Sequence, residues 1–174
     1  MTLLAASCIP ARRAQARVYE TRDAALRSVF GDSARIETRT AYLTPDQVDS
    51  VRSLARARFD TPRLTYYVAS RGDTLLGRAY LDTHVVRSMP ETLLLAVGPD
   101  GRVHAVEILA FHEPEDYLPP RRWLRTLLGR SLSPHLRPGD ALDGITGASL
   151  SARAAAEAVR RALALDRVLH GARP

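Results

Sequence analysis

The feature that most constrains the fold is a succession of apolar segments between residues 64 and 111. Each has the length, and the alternating or continuous apolar pattern, of a β-strand. The segments are Thr65–Ser70, Leu75–Val86, Glu91–Val97 and Arg102–Phe111. Turn-forming residues separate them, and a Gly-Pro-Asp-Gly sequence at residues 98–101 predicts a hairpin between the last two. Strands that follow one another without intervening helices indicate an antiparallel sheet.

Helices are predicted on both sides of these strands. Residues 21–30 form a helical segment that ends at Gly31, and residues 34–43 have the pattern of a further strand. Thr44-Pro45-Asp46-Gln47 has the pattern of a capping box and predicts a helix to about Arg58. Later helices are predicted over 119–128 and over Ser149 to Leu169. The predicted fold class is α+β, an antiparallel sheet of about four to five strands packed with helices.

The first residues have some features of an export signal. Residues 3–6 form a short apolar run, and residues 14–16 fit the small-x-small pattern of a cleavage site. The basic start and most of the apolar core of such a signal are missing, so the alternative is an Ala-rich stretch without a targeting role. We expect a signal-peptide remnant at 1–16, an N-terminal helical and strand segment at 17–63, and the main domain at 64–170. Cys8 follows a weak approximation to a lipoprotein acylation box.

Composition and residue spacing argue against nucleic acid and against a metal ion as binding partners. The formal charge of +6 favours nucleic acid, but all 25 residues counted as Lys or Arg are Arg, and they are scattered along the chain. No basic stripe with interleaved aromatic residues is present, so nucleic acid is not an expected partner. The single cysteine and the spacing of the histidines predict no metal site.

The segment with the clearest chemical content is Asp143-Gly144-Ile145-Thr146-Gly147-Ala148-Ser149, which leads directly into the last predicted helix. Glycines permit a tight loop there, and Ser149 or Ser151 is predicted to cap the helix. The free amides of a first helical turn, fronted by glycines, form a natural seat for an anion such as phosphate. From these residues alone, the alternative is an ordinary capped helix after a turn. Further along that helix, Glu157 and Arg161 have the spacing of an ion pair.

The pattern Asp-x-x-Thr-Gly-Ala-Ser resembles the flavinylation motif of the FMN-binding domain family. Members of that family include the G subunit of the Rnf electron-transport complex and the C subunit of the sodium-pumping NADH:quinone reductase. The resemblance implies that FMN is joined to Ser149 through a phosphoester, by a flavin transferase that uses FAD as donor and needs a divalent metal. Asp143, Thr146, Gly147 and Ala148 occupy the other motif positions. The family more often has Thr as the acceptor, and Ser retains the hydroxyl.

The resemblance extends to about Leu64–Leu169. The predicted hairpin is similar to one in the family that ends in His-Glu, here His112-Glu113. Most members continue with a glycine-containing loop, whereas this chain continues with an acidic turn up to Tyr117 and a helix around Trp123. The resemblance adds His112 and Glu113 to the flavin-binding residues, the alternative being a solvated rim. Trp123, with Tyr117, either covers the flavin ring or packs in the core, and core packing is the favoured role.

The resemblance implies a function as well. We expect an exported, periplasmic electron-transfer flavoprotein, with the FMN-binding domain over 64–170 and its C-terminal helix following the flavin-attachment loop. Its expected partners are the flavin transferase and redox proteins, membrane-bound ones among them. No nicotinamide-binding fingerprint is visible, which favours an electron carrier over a stand-alone reductase. The alternative is an exported interaction or sensory domain that binds FMN non-covalently or binds no cofactor.

Overall fold

The computed structural model describes residues 17–171. These residues form one β-sheet and the helices that pack on it. The strands are β1 Arg17–Val18, β2 Arg35–Tyr42, β3 Arg63–Arg71, β4 Thr74–Val85, β5 Pro90–Val97 and β6 Val103–Phe111. The α-helices are α1 Arg22–Phe30, α2 Pro45–Ala55, α3 Arg121–Leu124 and α4 Ser149–His170. Single turns of 3₁₀ helix occupy Glu115–Tyr117 and Arg125–Leu127. The signal-peptide prediction for residues 1–16 and the lipoprotein prediction for Cys8 fall outside the described residues.

The six strands form one antiparallel sheet in the order β1-β6-β5-β4-β3-β2. Strands β2 to β6 therefore form a meander, and the α+β class with an antiparallel sheet is confirmed. The sheet contains one strand more than the predicted four to five. The additional strand, β1, pairs Arg17 and Val18 with the end of β6. Two residues carry no detectable periodicity, so only the tertiary pairing reveals this strand.

Helices cover both faces of the sheet. On one face, α1 packs Leu26 and Phe30 against small and apolar side chains of β3 to β6. On the other face, α2 and α4 share the larger core with β4, β5 and β6. The middle of β5, Leu93 to Val97, is buried on both faces, which explains why its sequence is continuously apolar rather than alternating.

The predicted helix caps at the N-terminal end of the chain are confirmed. Thr21 Oγ1 accepts a hydrogen bond from the amide of Ala24 at 3.3 Å, and Gly31 ends α1. Thr44 and Gln47 form the predicted capping box at the start of α2. Helix α2 ends at Ala55, three residues before the predicted end at about Arg58, because Arg56 adopts a left-handed conformation with φ 47°.

Two arginines fix the position of α4. Arg160, only 5% exposed, donates to the carbonyls of Ala55 and Leu136 at 2.7 Å each. It thereby joins α4 to the end of α2 and to the loop that precedes residues 143–149. Arg161 donates twice to the carboxylate of Asp82 on β4, at 2.7 Å each, rather than forming the predicted pair with Glu157. The middle of α4 is therefore held in a defined position relative to α2 and the sheet. Among the described residues, no helix is both long and apolar enough to cross a membrane.

Candidate functional site

Residues 143–149, which resemble the flavinylation motif and which we call the attachment motif, form the loop that enters α4. Gly147 has φ 88°, a conformation that disfavours residues with a Cβ, and Ala148 is the N-cap. The prediction that Ser149 or Ser151 caps the helix is wrong, because the cap residue Ala148 offers no side-chain acceptor. The first helical hydrogen bond runs from the amide of Ala152 to the carbonyl of Ala148. The amides of residues 149–151 therefore have no acceptor within the helix and remain available to an anion.

Two serine hydroxyls lie in this first turn, in different environments. Ser149 is exposed, so its hydroxyl is accessible from outside. Ser151 is 1% exposed, and its Oγ has no hydrogen-bond partner among the described residues. Both line a cavity of about 190 Å³. The other lining residues are Arg87, Tyr117, Gly147, Ala148 and Leu150. A buried polar atom without a partner is uncommon, and it marks this cavity as a place for a hydrogen-bonding group.

A second cavity, of about 530 Å³, shares Arg87 and Tyr117 with the first. Its remaining lining residues are Ser88, Met89, Glu113 and Pro114. The guanidinium of Arg87 lies over the ring of Tyr117, 4.6 Å from its centroid. This distance is within the range of a cation–π contact. The pair forms a common wall between the two cavities, which we call the Arg87–Tyr117 wall.

Glu113 holds the loop that carries Arg87. Its Oε1 accepts hydrogen bonds from the amides of Arg87 (3.1 Å), Ser88 (2.7 Å) and Met89 (2.9 Å). Burial raises the pKa of Glu113, but these backbone hydrogen bonds outweigh it and hold the pKa below its ordinary value. Glu113 therefore remains ionised, and its carboxylate organises the loop between β4 and β5.

The structure brings together some of the predicted site residues and separates others. Gly147, Ala148 and Ser149 line the smaller cavity, and Glu113 lines the larger. Asp143, Thr146 and His112 line neither cavity. The carbonyl of Asp143 accepts a hydrogen bond from Nε1 of Trp123 at 2.8 Å, and the amide of His112 donates to the carbonyl of Pro90 at 3.1 Å. A flavin-binding role for these three residues stays a prediction.

Trp123 is 5% exposed and packs in the larger core, so the favoured interpretation of its role is confirmed. Through its indole nitrogen it also ties α3 to the attachment loop. The residues that the sequence did not identify are Arg87, Met89 and Ser151. The first two lie in the connection between β4 and β5, where the sequence indicated only a turn. Ser151 was considered only as a helix cap.

A buried charged cluster lies beside this connection. His84, near the end of β4, contacts Asp82 through Nδ1 at 2.8 Å and Glu91 through Nε2 at 3.1 Å. Burial lowers the pKa of His84, but the hydrogen bonds and charges of the two carboxylates outweigh it and raise the pKa to about 9. Burial raises the pKa of Asp82, whereas hydrogen bonds from His84 and Arg161 lower it, to about 2. The cluster is therefore charged at neutral pH, with His84 protonated.

This cluster predicts a loss of stability at alkaline pH. Because the folded pKa of His84, about 9, lies above its ordinary value of 6.5, the stabilisation is complete below about pH 6.5. It is lost as the pH rises through about 9, and we expect a decrease of about 3 kcal/mol in the free energy of unfolding. Denaturant unfolding at pH 6 and pH 9.5 measures the decrease. His84→Gln should flatten this dependence, whereas His135→Gln, at an exposed site, should leave it unchanged. An equal pH dependence in His84→Gln and the unsubstituted protein would contradict the assignment.

The site's donors suit an organic anion rather than a metal ion. Among residues 17–171, no group of three or more His, Cys, Asp or Glu side chains could hold a metal. The donors at the smaller cavity are backbone amides, two hydroxyls and a guanidinium, which suit a phosphate. The adjacent aromatic and thioether side chains suit a planar ring system. These residues fit FMN, which has both parts.

Comparison with known proteins agrees with this chemistry. The model of the FMN-binding domain family matches residues 88–164. The match begins in the loop held by Glu113, includes β5 and β6, and ends within α4, so it includes the lining residues of both cavities except Arg87. No curated protein matched the chain. The match supports the assignment of residues 88–164 as an FMN-binding domain, and it supports FMN as the cofactor.

Proposed function

We propose that this protein is an exported electron carrier that holds FMN through a phosphoester on Ser149. The observation that carries the proposal is the position of Ser149 in the first turn of α4. There an accessible hydroxyl lies beside amides without helical acceptors and beside the Oγ of Ser151, which has no hydrogen-bond partner among residues 17–171. The alternative is that the same domain binds FMN non-covalently.

The smaller cavity has the properties required by the phosphate of such an ester. Its backbone amides and the hydroxyl of Ser151 can donate to phosphate oxygens, and the positive end of the α4 dipole favours the remaining negative charge. Such a dipole interaction contributes about 0.3–1 kcal/mol at an exposed helix end. The cation of Arg87 lines the same cavity and adds to this attraction.

Ser149 acts in this proposal as a modification site. Its Oγ forms a bond to the FMN phosphorus of FAD, the pyrophosphate bond breaks, and AMP leaves while the hydroxyl proton passes to the transferase or to water. Ala148 and Gly147 add little bulk beside the hydroxyl, which gives a transferase access to it. Because the transferase supplies the catalytic groups, Ser149 needs no general base of its own.

Once bound, FMN supplies reversible electron transfer, and the protein supplies position and electrostatics. The two cavities are shallow and lie at the surface beside exposed Met89 and Leu150. A surface position suits exchange of electrons with protein partners, among them membrane-bound ones, better than enclosure of a small substrate. The features that support export are the apolar run at residues 3–6 and the small-x-small pattern at residues 14–16.

Intact mass spectrometry of the full chain, co-expressed with a flavin transferase, tests the attachment. We expect a mass increase of one FMN less one water, and flavin fluorescence that stays with the protein on a denaturing gel. Flavin that co-purifies but is lost on denaturation would support the non-covalent alternative. An absence of adduct, with a transferase shown to modify another acceptor, would refute the covalent proposal. For the carrier role, the loaded protein should stay oxidised with NAD(P)H alone and become reduced when a redox partner is added.

A further inference from the structure

We propose that the flavin ring lies in the larger cavity against the Arg87–Tyr117 wall, and that the charge of Arg87 raises the reduction potential of the bound FMN. This inference rests on the proposed attachment at Ser149. Its structural basis is the junction of the two cavities, which share both residues of the wall. A group tethered in the smaller cavity therefore has the larger one directly beside it.

The size and chemistry of the larger cavity suit a planar aromatic ring. Its volume of about 530 Å³ is within the range of about 300–1,000 Å³ that is typical of small-molecule sites. Tyr117 offers an aromatic face, and the exposed side chain of Met89 offers a polarisable thioether. Both kinds of contact are favourable to a flat π system.

Arg87 is in a position to act on the charge of that ring. In the part of the chain that the structure describes, no carboxylate oxygen lies within ion-pair distance of Arg87, although the charge of Glu113 interacts with it from beyond that distance. Glu113 is nearby, but its Oε1 is engaged by the backbone amides of the loop. Added electrons make a flavin more negative, and a nearby cation favours the more negative state.

The position of Arg87 is held by the rest of the protein. The buried carboxylate of Glu113, 6% exposed, fixes three successive amides of its loop. The guanidinium itself lies over the ring of Tyr117. Because these contacts already order Arg87, its charge can act on a cofactor without a further loss of conformational entropy. Glu113 is thus a positioning residue, which acts on the flavin through Arg87.

The test compares reduction potentials of purified flavin adducts, whatever their yield, by dye-linked titration. Arg87→Gln should make reduction at least tenfold less favourable, a shift of about 30 mV for a two-electron couple. Arg87→Lys retains the positive charge, so its reduction potential should lie close to that of the unsubstituted protein. Arg63→Gln is the matched control, because Arg63 lies over Tyr42 at 5.8 Å on strands outside the site. A potential in Arg87→Gln equal to those of the unsubstituted and Arg63→Gln proteins would overturn the role of Arg87.

A second measurement tests the location of the ring with Arg87 intact. An aromatic side chain in contact with a flavin quenches its fluorescence, so Tyr117→Leu should increase the fluorescence yield of the adduct at least twofold. An unchanged yield in Tyr117→Leu would place the ring elsewhere. Intact mass distinguishes a failure of the attachment at Ser149 from a failure of the proposed ring position. No adduct on the unsubstituted chain would refute attachment, and the inference with it, whereas an adduct with unaltered potential and fluorescence in the variants would refute the inference alone.

Discussion

Ser149→Ala is expected to abolish covalent flavin completely. The substitution removes the oxygen that forms the phosphoester, and the other hydroxyl of the first turn, on Ser151, is 1% exposed and inaccessible to a transferase. Ser149→Thr retains the hydroxyl and should still accept FMN. Intact mass and in-gel flavin fluorescence after co-expression measure both variants.

The control for this result is Ser151→Ala, which leaves Ser149 in place. We expect an adduct on this variant, held less rigidly because one donor to the phosphate is lost. Since Ser149 is exposed, its replacement should change the free energy of unfolding by less than about 0.5 kcal/mol, so failure to fold cannot explain the missing adduct. An adduct of full yield on Ser149→Ala would show that another residue is the acceptor.

Gly77→Ala is expected to destabilise the fold by about 3 kcal/mol. Gly77 lies in β4, opposite Ala69 at a bulge in the pairing with β3, and has φ 154°. A Cβ at this position would lie 2.6 Å from the carbonyl oxygen of Val97 and 3.2 Å from Cε1 of Phe30. The first contact is with the backbone of a central strand, which cannot move without disturbing the sheet. Thermal unfolding should show a midpoint lower by roughly 6–12 °C.

Gly144→Ala is the matched control for Gly77→Ala. A Cβ at Gly144 would meet no atom of the described part of the chain within 4 Å, and the residue lies in an exposed loop. Its substitution should leave the midpoint nearly unchanged or raise it slightly, because alanine restricts the unfolded chain. Equal midpoints for the two variants would mean that the contact with Val97 relaxes at little cost.

Local patterns in the sequence predicted much of the fold and one part of the site. The capping box at Thr44 and the hairpin between β5 and β6 depend on residues that are close in the chain, and both are present. The attachment motif precedes α4 as expected, because a glycine-containing loop and an Ala-rich amphipathic segment are likewise local signals. The end of α2 was misplaced, since the left-handed Arg56 has no distinctive sequence signal.

The sequence by itself thus determined the succession of strands, the caps of α1 and α2, and the position of Ser149 at the start of α4. Only the tertiary structure decided what surrounds that residue. Strand pairing brings Glu113 to the loop of Arg87, 26 residues away in the chain, and packing of α4 brings Arg161 to Asp82, 79 residues away. Contacts between residues so distant leave no periodic pattern for a single sequence to display. The Arg87–Tyr117 wall and the charge on His84 therefore follow from how the elements pack, not from any local motif.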